Sequence, residues 1–285
     1  MRILLTGATG FVGTALLAAL GSAHDVVPAA RSVDGSRGVR LDLADPDACD
    51  AVLSALAPCD IIVHAAAHIT MTPFDPDVVR VNALGAQTIA RWAEAWDAAV
   101  IYLSSIQVIG TPRQHPITED HPTHPRTTYH AAKLFGEHVL LNTARACALR
   151  LTAPVGPTMP ANRILSVFAR RAAAGEPLVL AGEGGRRQDY VHVDDIADAV
   201  ARCIAHRPTG VFNLGAGVSV SNRELAERCI ALTGSRSQIT FSGQPDPEEA
   251  NHWDVRIDKA RAAFGYAPRS DLDTLIRALS STPRR

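Results

Sequence analysis

The chain has 285 residues, enough for one compact body with an added lobe. It is 47% hydrophobic and 20% charged, an ordinary balance for a globular chain with a large core. A formal net charge of -1 and a pI near 6.8 give no electrostatic reason to expect nucleic acid or an anionic membrane as partner.

No apolar run reaches the roughly 18 residues of a membrane span. The opening "MRILLTG" reads as a strand entering a turn and not as a signal peptide. Cys49, Cys59, Cys147, Cys203 and Cys229 are scattered without a CxxC pair, which predicts reduced thiols and a cytoplasmic location.

From the N-terminus, β-type runs at 2–7, 25–30, 60–67, 99–105 and 146–154 alternate with alanine-rich helical stretches at 13–21, 47–58, 82–96 and 127–145. This alternation of helices with nearly continuous apolar strands predicts an α/β fold, a Rossmann doubly wound parallel sheet covered on both faces. After about residue 155 glycine and proline interrupt the pattern, around a helix signal at 194–206 and a strand at 210–215. The expected division is a dinucleotide-binding domain over 1–155 with a returning segment at about 189–215. A smaller substrate-binding lobe would take 156–188 and 216–285.

"TGATGFVG" places Gly7, Gly10 and Gly13 between the first strand and the first helix. Residues without a Cβ allow the sharp turn and close approach that a pyrophosphate needs, and the helix N-terminus stabilises its charge. That context makes the turn a dinucleotide-binding fingerprint. The second strand ends near Ala30, where NAD sites carry an acidic residue for the ribose hydroxyls. Arg31 follows instead, with Asp34 three residues further on. A guanidinium fork can bind the 2′-phosphate and stack on adenine. The pattern therefore favours NADP(H) over NAD(H); a lone surface charge is the plain alternative. Asp42, in "LDLAD", falls at the end of strand three beside the adenine.

"TTYHAAK" sets Tyr129 and Lys133 four residues apart, on one helix face. A tyrosine with its usual pKa of about 10 is a poor acid–base catalyst at neutral pH, and a neighbouring cation lowers it. Taken alone, this spacing also describes any exposed helix face.

In chain order, "TGATGFVG", "VHAAA", "VNALG", "YLSS", "YHAAK", "RRQDYVHVDDIA" and "FNLGAG" resemble the motifs of the extended short-chain dehydrogenase/reductase family, of NAD-dependent epimerase/dehydratase type. The resemblance spans nearly the whole chain. It implies that Tyr129 is the acid–base residue, that Lys133 binds the nicotinamide ribose and lowers the Tyr129 pKa, and that Ser105 bonds the reacting oxygen. Cofactor contacts are implied for Gly7, Gly10, Phe11, Val12, Gly13, Arg31, Ser32, Asp42 and Leu43. They are also implied for Ala65, Ala66, Ala67, Asn82, Tyr129, Lys133, Pro154 and Val155. Helix capping explains Asn82 nearly as well.

Departures from the family pattern bear on the reaction. Ile106 and Gln107 stand where 4,6-dehydratases carry an acidic pair, so dehydration is not expected. Two-base epimerases resembling GDP-fucose synthase have a cysteine at the place of Gln107 and a histidine near Arg163, and neither is kept. Epimerisation by transient oxidation at C4 stays open. Ala153 and Gln188 replace an asparagine and a diphosphate-binding arginine of many relatives. Gln107, Arg163, Arg187 and Gln188 are the substrate-contact candidates, and Arg256 could also compensate.

His115, His121, His124 and His130 lie in a proline-broken run without zinc-site spacing, so no metal is expected. By the resemblance this segment borders the substrate cleft as a mobile lip. Trp92 and Trp96 share a helix face in a core role. Relatives dimerise by packing that helix and the YxxxK helix against their counterparts, which predicts a homodimer.

The leading expectation is an NADPH-dependent ketoreductase, acting foremost on a nucleotide-linked 4-keto deoxysugar. The alternatives are a nucleotide-sugar epimerase that retains NAD(P), a reductase of a non-nucleotide carbonyl metabolite, and a cofactor-binding scaffold with a vestigial site.

Overall fold

The computed structural model describes residues 1–33, 38–70, 72 and 74–281. In chain order the strands are β1 (Arg2–Thr6), β2 (Asp25–Ala30), β3 (Val39–Arg40), β4 (Ile61–His64), β5 (Ala99–Ser105) and β6 (Ala146–Leu151), then β7 (Ala153–Val155), β8 (Leu178–Leu180), β9 (Arg187–His192), β10 (Gly210–Leu214), β11 (Ser219–Ser221) and β12 (Ile239–Phe241). The helices are α1 (Phe11–Leu20), α2 (Pro46–Ser54), α3 (Gly85–Ala95), α4 (Thr128–Leu141), α5 (Ile164–Ala173), α6 (Val193–His206), α7 (Asn222–Thr233), α8 (Asp258–Phe264) and α9 (Leu272–Ser280). A π-helical stretch, Val78–Leu84, leads into α3.

Seven parallel strands form the main sheet in the order β10-β6-β5-β4-β1-β2-β3. Apolar side chains on both faces explain the continuous runs in the sequence. Leu16 and Leu20 of α1 pack with Ile196 and Val200 of α6 on one face. Leu53 of α2, Ile89 of α3 and Leu140 of α4 pack on the other. Each such fully buried leucine stabilises the fold by about 2 kcal/mol. The chain moves outward from β1 to β3 and then crosses back to β4. A crevice therefore opens at the carboxyl ends of β1 and β4, the ligand position in open α/β sheets.

The apolar run at 146–154 divides at Thr152. Its backbone N–H bonds Leu214 O at 2.9 Å and its hydroxyl donates to Asp189 at 3.0 Å. β7 then leaves the main sheet and pairs with β9, which also pairs with β11. A second core surrounds α5, α7 and α9 and forms the lobe. The expected boundary at 216 is not kept throughout, because Ile257, Ala260, Phe264 and Tyr266 return to the core beneath the main sheet. Tyr266 donates to Gly215 O there at 2.9 Å.

Candidate active site

A cleft of about 820 Å³ runs from the glycine turn to the lobe. Gly7 has φ +71, and a Cβ there would lie 2.6 Å from Ala66 N, so the turn requires glycine. At Gly13 a Cβ would collide with the Gly7 carbonyl. The turn packs directly on Ala66, whose N–H donates to Thr6 Oγ1 at 3.2 Å. Gly10, the N-cap of α1, supplies no side-chain cap, and the first turn has no acidic residue. The uncapped backbone donors thus face a cradle that fits a pyrophosphate. Phe11, Val12, Arg31, Ser32, Asp42, Leu43, Ala65, Ala66, Ala67, Pro154 and Val155 line the same cleft. Arg31 and Ser32 are exposed at its far end, and Asp34 lies outside the described residues.

Ser105, Tyr129 and Lys133 also line this cleft. Ser105 ends β5, and its Oγ accepts the Gln107 N–H at 3.2 Å, leaving its own proton to donate. Thr127 caps α4 and begins the turn that carries Tyr129. Lys133 is 3% exposed; its Nζ donates to Leu103 O at 2.9 Å and lies 4.7 Å over the Tyr102 ring.

Electrostatics differ from the expectation for this pair. Burial pushes the Tyr129 phenol up to about 12, and Arg163, not Lys133, is the cation that opposes the rise. The reason is that Lys133 is itself desolvated. Burial brings its ammonium down to about 7, with Glu137 acting in the opposite sense. A half-charged lysine exerts a correspondingly weaker field on the phenol.

Glu137 follows Lys133 by one helical turn. It accepts from Ser104 at 2.5 Å and, in a forked pair, from Arg150 Nε at 3.0 Å and Nη2 at 2.8 Å. Beneath the cleft, His64 donates to or accepts from Thr6 Oγ1 at 2.7 Å and stacks on Tyr102. Burial holds the His64 pKa at about 3, so the ring is neutral.

The lobe forms the remaining wall. Strand parity places Arg186, Gln188 and Tyr190 on the cleft side, with Gln107 and Arg163 also lining it. Arg187 points the other way, to Ser219 Oγ at 3.1 Å and Glu224 at 3.0 Å, which corrects its assignment as a substrate contact. Arg186, which sequence reasoning passed over, takes the cleft position and pairs with Glu248 at 2.8 Å. Its two-residue separation from Gln188 was the signal that could have found it. Asn82 is buried and does not line the cleft. Its side chain accepts from His68 N–H at 2.9 Å and donates to His68 O at 2.8 Å, holding the segment after Ala67, so it is neither a cap nor a direct contact.

The histidine-rich segment is tied to the rest of the fold at its centre. Ile117 is fully buried, its N–H bonds Asp254 O at 2.7 Å, and Glu119 accepts the Asn213 N–H at 2.8 Å. His121 is buried and accepts the Arg113 N–H at 3.0 Å. Of the four histidines, His130 alone lines the cleft. Among the described residues no three His, Cys, Asp or Glu side chains gather as a metal site. The described cysteines are free and buried, and no helix among the described residues is long and apolar enough to cross a membrane.

This fold, with its glycine turn and a cleft lined by a serine, a tyrosine and a lysine, defines a dinucleotide-binding α/β protein. The chain belongs to the NAD dependent epimerase/dehydratase family, whose model matches residues 3–215. It is 32% identical to a UDP-glucose 4-epimerase of Mycolicibacterium smegmatis, over 94% of each chain. It is also 27% identical to a dTDP-glucose 4,6-dehydratase of Streptomyces niveus, over 94% of this chain and 88% of that one. Its fold is similar to that of a UDP-glucose 4-epimerase of Thermotoga maritima solved with UDP-glucose. The TM-score is 0.88 at 22% identity, covering 98% of this chain and 97% of that one.

Proposed function

We propose that this chain is a nucleotide-sugar epimerase that inverts a hydroxyl-bearing carbon through transient oxidation and retains its nicotinamide cofactor. This replaces net reduction of a keto-sugar as the leading reading. The observation that carries it is the proton-transfer set itself. Ser105, Tyr129 and Lys133 line one cleft, and the positions after Ser105 are a buried Ile106 and Gln107, with no carboxylate to expel water. The relative named UDP-glucose 4-epimerase, similar along nearly the full length of both chains, supports the same reading.

The glycine turn and the α1 N-terminus would hold the cofactor pyrophosphate, and Lys133 the nicotinamide ribose. When bound, the nicotinamide supplies a hydride acceptor and donor. Tyr129 takes the proton of the reacting hydroxyl and returns it after inversion, while Ser105 donates to the same oxygen. Arg163 is the cation that favours the phenolate form of Tyr129. Gln107, Arg163, Arg186 and Gln188 would hold the sugar and diphosphate.

Purified protein with UDP-glucose and UDP-N-acetylglucosamine, followed by proton NMR, tests this. C4-inverted product with cofactor recovered unchanged is expected. Stoichiometric NADPH consumption by a keto-sugar, without inversion of either substrate, would overturn it. Arg31 favours that second reading, and with it NADP(H), because it is exposed at the adenosine end of the cleft where a 2′-phosphate would lie. We also infer a cytoplasmic homodimer through the π-helical stretch and α4. Val79, Leu84 and Phe135 expose their side chains there, and light scattering of a Phe135→Asp variant should report monomer.

A further inference from the structure

One polar group in the cleft has no part in that scheme. His130 is buried, lines the cleft and meets the Tyr129 ring in a T-shaped contact, with 5.0 Å between centroids. Its Nδ1 lies 2.8 Å from Thr127 Oγ1. That hydroxyl already accepts the His130 backbone N–H, at 3.2 Å, as the N-cap of α4. In the tautomer that also uses the hydroxyl's own proton, Nδ1 accepts it and the ring carries its proton on Nε2.

Nε2 has no hydrogen-bond partner among the described residues. It is also not one of the unpartnered polar atoms sealed away from solvent. Its opening is therefore the cleft that His130 lines. Burial brings the imidazole pKa down to about 4, which keeps the ring neutral at physiological pH. A neutral imidazole fixed in one tautomer is a good donor to a substrate oxygen, because it carries no charge to be desolvated.

We propose that His130 is a specificity-determining residue that donates its Nε2–H to the substrate hydroxyl beside the reacting carbon. This rests on the epimerase reading above. In a pyranose, oxygens on adjacent carbons lie within hydrogen-bond reach of each other. With its ring centroid 5.0 Å from that of Tyr129, the His130 donor is within reach of O3 when the phenol bonds O4. The substrate class that follows is a sugar with a free 3-hydroxyl.

The test compares wild type, His130→Leu and His130→Gln on UDP-glucose and on UDP-3-deoxyglucose, with the melting temperature and NADH affinity of each as controls for folding. Loss of one neutral hydrogen bond should raise KM of His130→Leu for UDP-glucose roughly tenfold, with a smaller change in kcat. His130→Gln, which places an amide donor near Nε2, should recover most of the loss. On UDP-3-deoxyglucose the three proteins should have the same KM. An active wild type whose His130→Leu variant keeps its KM for UDP-glucose, or loses equally on both sugars, overturns this inference alone. A wild type that inverts neither UDP-glucose nor UDP-N-acetylglucosamine overturns the epimerase reading, and this inference with it.

Discussion

Lys133 should cost the empty protein stability, and Lys133→Met should release it. Burial lowers the ammonium pKa from 10.5 to about 7. At about 1.4 kcal/mol per pH unit this corresponds to about 5 kcal/mol. The sign follows from linkage. Below pH 7 both folded and unfolded chains hold the proton, and the folded chain bears the full cost of the buried charge. Between pH 7 and 10.5 the unfolded chain binds more protons, so stability rises with pH and the cost fades. Methionine keeps the unbranched stem but gives up the bond to Leu103 O and the contact with the Tyr102 ring. These losses offset part of the gain, leaving about 2–4 kcal/mol at pH 6. Urea unfolding of cofactor-free wild type and Lys133→Met at pH 6, 7.5 and 9 measures it. The variant should be the more stable at pH 6, with the gap narrowing by pH 9. A variant less stable at pH 6, or a gap independent of pH, would refute the reasoning. Stability given up at such a position is the usual counterpart of a prepared site.

Arg150→Met should be strongly destabilising, by about 3–5 kcal/mol, because it leaves the 3%-exposed Glu137 carboxylate unpaired; Arg150→Met with Glu137→Gln should regain most of that, and thermal melts of the three proteins decide. Arg31→Ala should weaken NADPH about 10- to 100-fold, the value of charge-assisted bonds to a phosphate, and NADH little; equal changes in fluorescence titrations return Arg31 to an incidental surface charge. Gly13→Ala should abolish cofactor binding in the same titration, since its Cβ would lie 2.8 Å from the Gly7 carbonyl carbon.

Local chemistry was enough for several features. The strand–turn–helix around Gly7, Gly10 and Gly13 depends on neighbours in sequence, as does the placement of Tyr129 and Lys133 on one helical face. α7 is equally legible from its neighbours in sequence. Ser221 and Glu224 form a capping box, and Gly234 ends the helix in the left-handed conformation.

Tertiary structure decided the rest. Whether Arg186 or Arg187 faces the cleft depends on which side of β9 meets the lobe wall, which no run of residues states by itself. The segment from 111 to 127 looked free because its anchors, Asn213 and Asp254, lie about a hundred residues or more away in the chain. The charge states of Tyr129, His130 and Lys133 are likewise products of burial. Sequence periodicity determined where the backbone would turn and which side chains share a face. Desolvation and long-range pairing, which exist only once distant segments pack, determined what those side chains can do.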